Sequence, residues 1–440
     1  MTGPTKYELD DYAARRARLM QAMGPDGIAI IPAAREVIRN RDVHYKFRQD
    51  SDFRYLTGFL EPEAIAVLAP GRPDGEYLLF TRPRDATREI WDGYRAGPEG
   101  AVQQYRADKG LPVSLFAAML PELLGGRARI YYTLGEHTGM DPVITACVRE
   151  IREVSRRGAS APVEFVALET TLHEQRLIKT PAEAEFMAKA GEVSARAHVR
   201  AMKYARPGVF EYQLAAEIHH EFELEGMEPG YLSIVGTGAN ACVLHYVENT
   251  RALADGDLVL IDAGGEYRGY TADITRCFPA NGKFSPAQKA VYEVVLAAQL
   301  AAIKELTVGT LSSKPHEVAT RVLTEGMVSI GLLKGDVATL IKDEKHKQFF
   351  MHGTGHWLGM DVHDVGRYKI EGQARPFAAG MCMTVEPGLY VAPDTPGVDA
   401  KFHGIGVRIE DDVLITDKGP RILTAGVPKG VAEIEALMKG

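Results

Sequence analysis

Three histidines, His352, His356 and His363, fall within twelve positions of FFMHGTGHWLGMDVHDVG (349–366), in a chain with 13 histidines altogether. Gly353, Gly355 and Gly359 lie among them. Glycines let a backbone approach closely, which suits a site more than a core strand. A lone histidine is more often structural, but three in one glycine-rich run point to binding or proton transfer as the competing reading.

Carboxylates occur at comparable places. In GDLVLIDAGGEYRGYTADITRCF (256–278) an apolar strand delivers Asp262, and Gly264, Gly265 and Gly269 allow a tight turn. The return strand carries Asp273, so a hairpin can bring back together two acids eleven positions apart. The plain alternative is two turn residues, the usual fate of Asp beside Gly. Glu386 ends the apolar run of MTVEPGLYVAP (383–393) before a Pro-Gly turn. In GIGVRIEDDVLIT (404–416), Arg408 and Glu410 are two apart and share one strand face. That face is either a buried polar one or a half-exposed strand with an ordinary ion pair. Four carboxylates gathered together cannot all stay ionised without positive charge. An oxygen-rich set with an imidazole favours a hard divalent ion such as manganese over structural zinc. Four acids exceed what one ion needs, so the expectation is a two-metal centre for hydrolysis.

These residues need a scaffold. GIAIIPA (27–33), IAVLAP (65–70), EYLLFT (76–81) and ARIYYTL (128–134) read as strands, with helices near 10–23, 114–124 and 140–152. The 10–23 helix reads as apolar on one side and arginine-rich on the other. Alternating strands and helices predict an α/β layer. SRRGASAPVEF (155–165) reads as a linker, and Thr180-Pro181-Ala182-Glu183 is a capping-box helix start. The expected division is 1–176 and 177–440. Within the second part a helix pair leads to Glu225-Gly226-Met227, and a second pair leads to Glu325-Gly326-Met327. This predicts a duplicated half-domain.

Composition narrows the class. The chain has 440 residues, 45% hydrophobic and 25% charged, with a net charge of −8. That is globular composition, without the basic excess of a nucleic-acid binder. Four cysteines (Cys147, Cys242, Cys277, Cys382) form no C-x-x-C pair, and reduced thiols are expected. The N-terminal segment has no signal-like apolar core, and VYEVVLAAQLAAI (291–303) is broken by Glu293 and Gln299. A cytoplasmic enzyme without membrane partners is the expectation.

The segments IDAGGEYRGYTADITR, HGTGHWLGMDVHD, TVEPGLY and GVRIEDD, in that order, resemble the pita-bread metallopeptidases, and most closely their bacterial aminopeptidase P branch. SDFRYLTGFLEPEA (51–64) and REIWDGYR (88–95) extend the resemblance to the N-terminal part. The resemblance implies an N-terminal α/β domain followed by a pita-bread domain with internal pseudo-twofold symmetry. It implies two divalent metals, most simply Mn2+ with Co2+ or Zn2+ as alternatives. Their ligands would be Asp262, Asp273, His356, Glu386 and Glu410, with Asp273 and Glu410 bridging. His245, in VLHYVEN, would lie near the scissile bond, and His363 near the reacting carbonyl. His352 and Arg408 would form a polar relay and Tyr390 would line the site. Trp91 and Arg156, or Arg157 in its place, would reach a neighbouring subunit's site, which implies a homo-oligomer, a tetramer or dimer. The implied substrates are peptides with proline at position two. Gly355 stands where the bacterial relatives have Ser, and H-G-x-G-H is commoner in prolidases. Prolidase, cutting only dipeptides, is therefore the alternative. A metal-free binding module or creatinase-like hydrolase is disfavoured by the complete ligand set.

Overall fold

A computed structural model describes residues 4–439. The chain divides into two compact units, Met1–Gln175 and Arg176–Gly440.

The first unit is built on a mixed six-stranded sheet. Its order is Lys109–Pro112, Tyr77–Thr81, Ile65–Leu68, Gly27–Pro32, Arg129–Tyr131, Glu164–Val166. Gly27–Pro32 is buried along its whole length, which is why it reads as a continuous apolar run and not an alternating one. It pairs antiparallel with Ile65–Leu68 and parallel with Arg129–Tyr131. Phe116, Leu120 and Leu124 from one helix, and Ile144, Val148 and Ile151 from another, pack on Ile28, Val67 and Ile130. Lys109–Pro112 and Glu164–Val166 were not legible as strands. KGLP carries Gly and Pro, and EFV is short and falls in the segment that reads as a linker. Both lie at the edges of the sheet, where Pro and charge are tolerated.

The first helix, Lys6–Met23, starts at a Thr5–Glu8 capping box. Its arginine-rich side is not simply a water-facing one. Arg15 and Arg16 are buried. Their guanidinium groups lie over Tyr55 and Tyr77 at 4.2 and 4.0 Å and donate to the carbonyls of Tyr55 and Leu56. Aromatic faces and carbonyls replace the lost hydration.

The second unit repeats a helix pair followed by antiparallel strands. Pro181–Tyr204 and Glu211–Leu224 precede a sheet of Ile234–Thr237, Leu258–Asp262 and Thr275–Pro279. Pro286–Ile303 and Lys314–Ser329 precede one of Cys382–Val385, Asp411–Thr416 and Gly419–Ile422. Thr180–Glu183 and Ser285–Gln288 cap the leading helix of each half in the same way. The two E-G-M runs are not equivalent, however. Gly226 follows its helix with φ 68°, whereas Gly326 lies inside its helix. There a Cβ would come within 2.3 Å of Val294, so the glycine lets two helices approach. The repeat resides in the helix pairs and not in those letters. Val259, Ile261, Phe278, Val291 and Leu323 belong to its main core. Among the described residues no helix is long and apolar enough to cross a membrane.

Candidate metal centre and active site

The first pair of acids is set by strand register. Leu258–Asp262 pairs antiparallel with Thr275–Pro279, with Asp262 opposite Thr275. Between them a small hairpin turns at Arg268 and Gly269, whose φ values are 52° and 86°. Two positive φ values in a row mark the turn that matches strand twist. The chain returns so closely that a Cβ on Gly264 would lie 1.7 Å from the Ala272 carbonyl oxygen. Ala263 N donates to Ile274 O (3.1 Å), which seats Asp262 beside Asp273.

The second half supplies the remaining groups. His356 and Thr384 exchange two hydrogen bonds, His356 N to Thr384 Oγ1 (3.0 Å) and Thr384 N to His356 O (2.9 Å). His356 Nδ1 donates to Trp357 O (2.9 Å), leaving Nε2 3.3 Å from Asp273 Oδ2 and 3.7 Å from Glu386 Oε1. Gly355 presses on the same strand, and a Cβ there would lie 1.9 Å from the Thr384 carbonyl oxygen. Glu386 N donates to Thr354 O (2.8 Å). Glu410 N donates to Thr275 O (3.1 Å), and Thr275 Oγ1 donates to Glu410 Oε2 (2.6 Å). Asp273, His356 and Glu410 each present a ligand atom, and these atoms lie within 4.8 Å of one another.

Behind them runs a polar chain. Arg408 donates through Nη2 to Asp262 Oδ2 (2.6 Å), through Nε to Thr275 Oγ1 (3.1 Å) and through Nη1 to Tyr390 Oη (3.0 Å). Tyr390 Oη also meets His352 Nε2 at 2.9 Å, and His352 Nδ1 lies 2.6 Å from Gly353 O. A neutral His352 protonated on Nδ1 satisfies both contacts, with the tyrosine donating. Burial, and then Arg408, push this ring down to about 4.

The electrostatics show a shortage of positive charge. Burial raises Asp262 against Arg408 and lifts Glu386 to about 7 against His356. Burial and Asp273 raise Glu410 well above the usual range. Burial acts the same way on Asp273, but His356 and Tyr231 outweigh it and hold that carboxyl low. Burial also opposes charge on His356, but Asp273 and Glu386 outweigh it and lift the ring to about 9. Tyr231 Oη lies 2.6 Å from both Asp262 Oδ1 and Asp273 Oδ1. One hydroxyl proton cannot serve two carboxylates at once. A divalent cation held by these residues would supply the missing charge, and the donor set of oxygens with one imidazole fits such an ion. Burial pushes the nearby Cys277 thiol up to about 12, and its Sγ donates to the Arg408 carbonyl at 3.3 Å.

The sequence had singled out all five of Asp262, Asp273, His356, Glu386 and Glu410, and the fold gathers them in one place. His363 joins them with its ring 4.4 Å from that of His356, at 77°. His245 is exposed and bears electrostatically on both His352 and His363. Trp91 and Arg156 belong to the first unit and are exposed, so the cluster is assembled without them. Tyr231, Thr275 and Asp412 were missed. Asp412, whose carboxylate accepts the Asp273 N–H at 3.1 and 3.2 Å, reads in sequence as one more strand residue. Only GVRIEDD, with two acids directly after Glu410, hinted at it.

This is the centre of a pita-bread metallopeptidase. The model of metallopeptidase family M24 matches residues 185–417, and that of the aminopeptidase P N-terminal domain matches residues 12–131. The chain belongs to metallopeptidase family M24, in its aminopeptidase P group. It is 46% identical over 430 residues to the Xaa-Pro aminopeptidase of Escherichia coli K12, covering 97% of each chain. The solved aminopeptidase PepP of Pseudomonas aeruginosa matches with TM-score 0.97 and 55% identity, covering 100% of this chain and 99% of that one. Zinc-substituted E. coli aminopeptidase P in complex with product matches with TM-score 0.95 and 44% identity, covering 100% and 99%.

Proposed function

We propose that this chain is a metal-dependent Xaa-Pro aminopeptidase, an exopeptidase that releases the N-terminal residue from peptides with proline second. The observation that carries this reading is the Asp273–His356–Glu410 cluster, flanked by Asp262 and Glu386. It sits in a chain that aligns along 97% of an Xaa-Pro aminopeptidase. Prolidase has less behind it. The relatives just named are aminopeptidases, and the N-terminal model is that of aminopeptidase P.

Asp262, Asp273, His356, Glu386 and Glu410 would hold two divalent ions. Manganese suits this oxygen-rich set best, with cobalt or zinc as alternatives. When bound, such ions polarise a peptide carbonyl and acidify water. Glu386 carries the proton from the attacking water towards the leaving proline nitrogen. His363 and His245 face the substrate and stabilise the charge developing on the carbonyl oxygen. Arg408, held by Tyr390 and His352, keeps Asp262 oriented towards the substrate's free amino group. Proline has no N–H and a fixed φ, so a site built for it forgoes a contact that other peptidases use.

Asp273→Ala is expected to abolish hydrolysis in a way that added metal does not restore, and full activity in that variant refutes the reading. Peptides of increasing length separate the alternatives. Cleavage of Xaa-Pro-Xaa supports the aminopeptidase, whereas cleavage of Xaa-Pro alone establishes a prolidase.

A homo-oligomer, tetramer or dimer, belongs to the same proposal. Ile90 and Trp91 are each 80% exposed on the short helix Ala86–Asp92, and paired large apolar side chains in water suit burial by another subunit. Light scattering should give a mass above 48.1 kDa, reduced in Trp91→Ala. A cytoplasmic location fits the free cysteines Cys147, Cys242, Cys277 and Cys382.

A further inference from the structure

His363 is exposed, and among the described contacts its ring makes no hydrogen bond; it meets only the edge of His356. Its place is therefore set by the backbone of the loop Trp357–Asp364. That loop closes through Asp364 N donating to Trp357 O (2.9 Å). It is tied to the Asp273 strand by Thr271 N donating to Gly359 O (2.8 Å).

Inside the loop lies a buried charge cluster that the reaction does not use. Arg176 Nη2 donates to Asp364 Oδ1 and to Asp361 Oδ2, both at 2.7 Å. Lys179 Nζ donates to Asp364 Oδ2 at 2.8 Å. Arg176, Lys179 and Asp364 are only 3, 6 and 7% exposed. The space is tight, since a Cβ on Gly359 would lie 2.1 Å from Asp364 Oδ2 and 2.9 Å from Lys179 Cε. Asp361 and Asp364 flank His363 on either side, so both anchors act on the segment that carries it. Lys179 is fixed in turn by Lys179 N donating to Gly380 O (2.8 Å).

Buried ion pairs add little net stability compared with well-packed apolar side chains, because desolvation offsets their attraction. What they provide is geometry, since each donor accepts few alternative placements.

We propose that Arg176, Lys179 and Asp364 form a latch that positions His363 over the metal centre; this rests on the role given to His363 in the aminopeptidase reading. They are positioning residues and do not touch substrate. Displacing a reacting group by about 1 Å costs on the order of 100-fold in rate.

The test is a double-mutant cycle on the full, metal-loaded chain. Lys179→Met is expected to lower kcat by roughly 10- to 100-fold, with KM little changed. In a His363→Ala background the same substitution should cost less than about twofold, because positioning an absent ring has no value. Metal content by elemental analysis and metal affinity by calorimetry should match the parent protein. Additive losses in the cycle, or metal loss in Lys179→Met, overturn the latch alone. Unchanged kcat in His363→Ala overturns both the latch and the role of His363. If Lys179→Met does not fold, Asp364→Asn takes its place in the same cycle.

Discussion

Tyr231 shows how much a single side chain can organise. Its hydroxyl meets both aspartates of the first strand pair at 2.6 Å. Hydrogen bonds to carboxylates are the strong kind, and groups that orient metal ligands matter nearly as much as the ligands. Tyr231→Phe keeps the ring and removes only the hydroxyl. It is expected to weaken metal binding by roughly 10- to 100-fold, read by calorimetric titration of stripped protein. Equal affinity in the variant would show that the strands alone hold Asp262 and Asp273 in place. No signal in the sequence pointed to Tyr231, because EPGYLSIV offers a tyrosine in an ordinary pre-strand loop. Its partners lie 31 and 42 positions away.

At the scale of elements, the hairpin carrying Asp262 and Asp273 is held from two sides. Its own strands close so tightly that Gly264 has no room for a side chain. The long helix Pro181–Tyr204 grips it from behind. Ser194 Oγ accepts from Gly265 N (3.0 Å), and the buried His198 Nε2 meets Ala263 O (3.0 Å). Serine and histidine four apart share one helix face, so one helix fixes both sides of Gly264. Gly264→Ala must push the Ala272 carbonyl away. The expected result is a loss of roughly 1–3 kcal/mol, typical of overpacking, together with reduced metal retention. Thermal unfolding and elemental analysis measure the two, and a variant normal in both contradicts the close-approach argument. The elements themselves were largely legible, since the helix cap at Thr180 and the apolar run LVLI are local signals; the equivalent cap at Ser285 went unread. The edge strands Lys109–Pro112 and Glu164–Val166 were not, because pairing and not side-chain pattern makes them strands.

Across the whole molecule the centre couples metal, pH and stability. Glu386 is raised from 4.5 to about 7 and His356 from 6.5 to about 9. A group with a raised folded-state value binds extra protons when folded. Its stabilisation is complete below the unfolded value and is lost as pH rises through the folded one. Metal-stripped protein should therefore melt at rising temperature as pH falls from about 9 towards 6.5; below that, the buried His198 and His352, both held down to about 4, lose stability on protonation and oppose the further gain from Glu386. Metal-loaded protein should show the opposite trend, because protons compete with the ions for the same atoms. Melting curves of both forms across this range decide the matter. Parallel trends would mean that His356 and Glu386 do not face the ions. Asp411 acts elsewhere on the scale. Burial opposes its charge, but Arg276 and Lys429 hold it down to about 2, so its stabilising effect fades only as pH drops from 3.8 towards that value.

The sequence by itself determined the kinds of group available and the local devices that present them. It showed glycine runs beside three histidines, acids at strand ends and the capping box that opens the helix at Thr180. Those depend on neighbours within a few positions, where spacing and rotamer rules suffice. The tertiary structure decided which groups share a proton or a charge. Arg408 meets Asp262 across 146 positions, Asp412 holds the Asp273 N–H across 139, and Lys179 meets Asp364 across 185. Such partners have no common local pattern. They are chosen because burial leaves each charge no water to turn to, and only the folded chain brings its counterpart within reach.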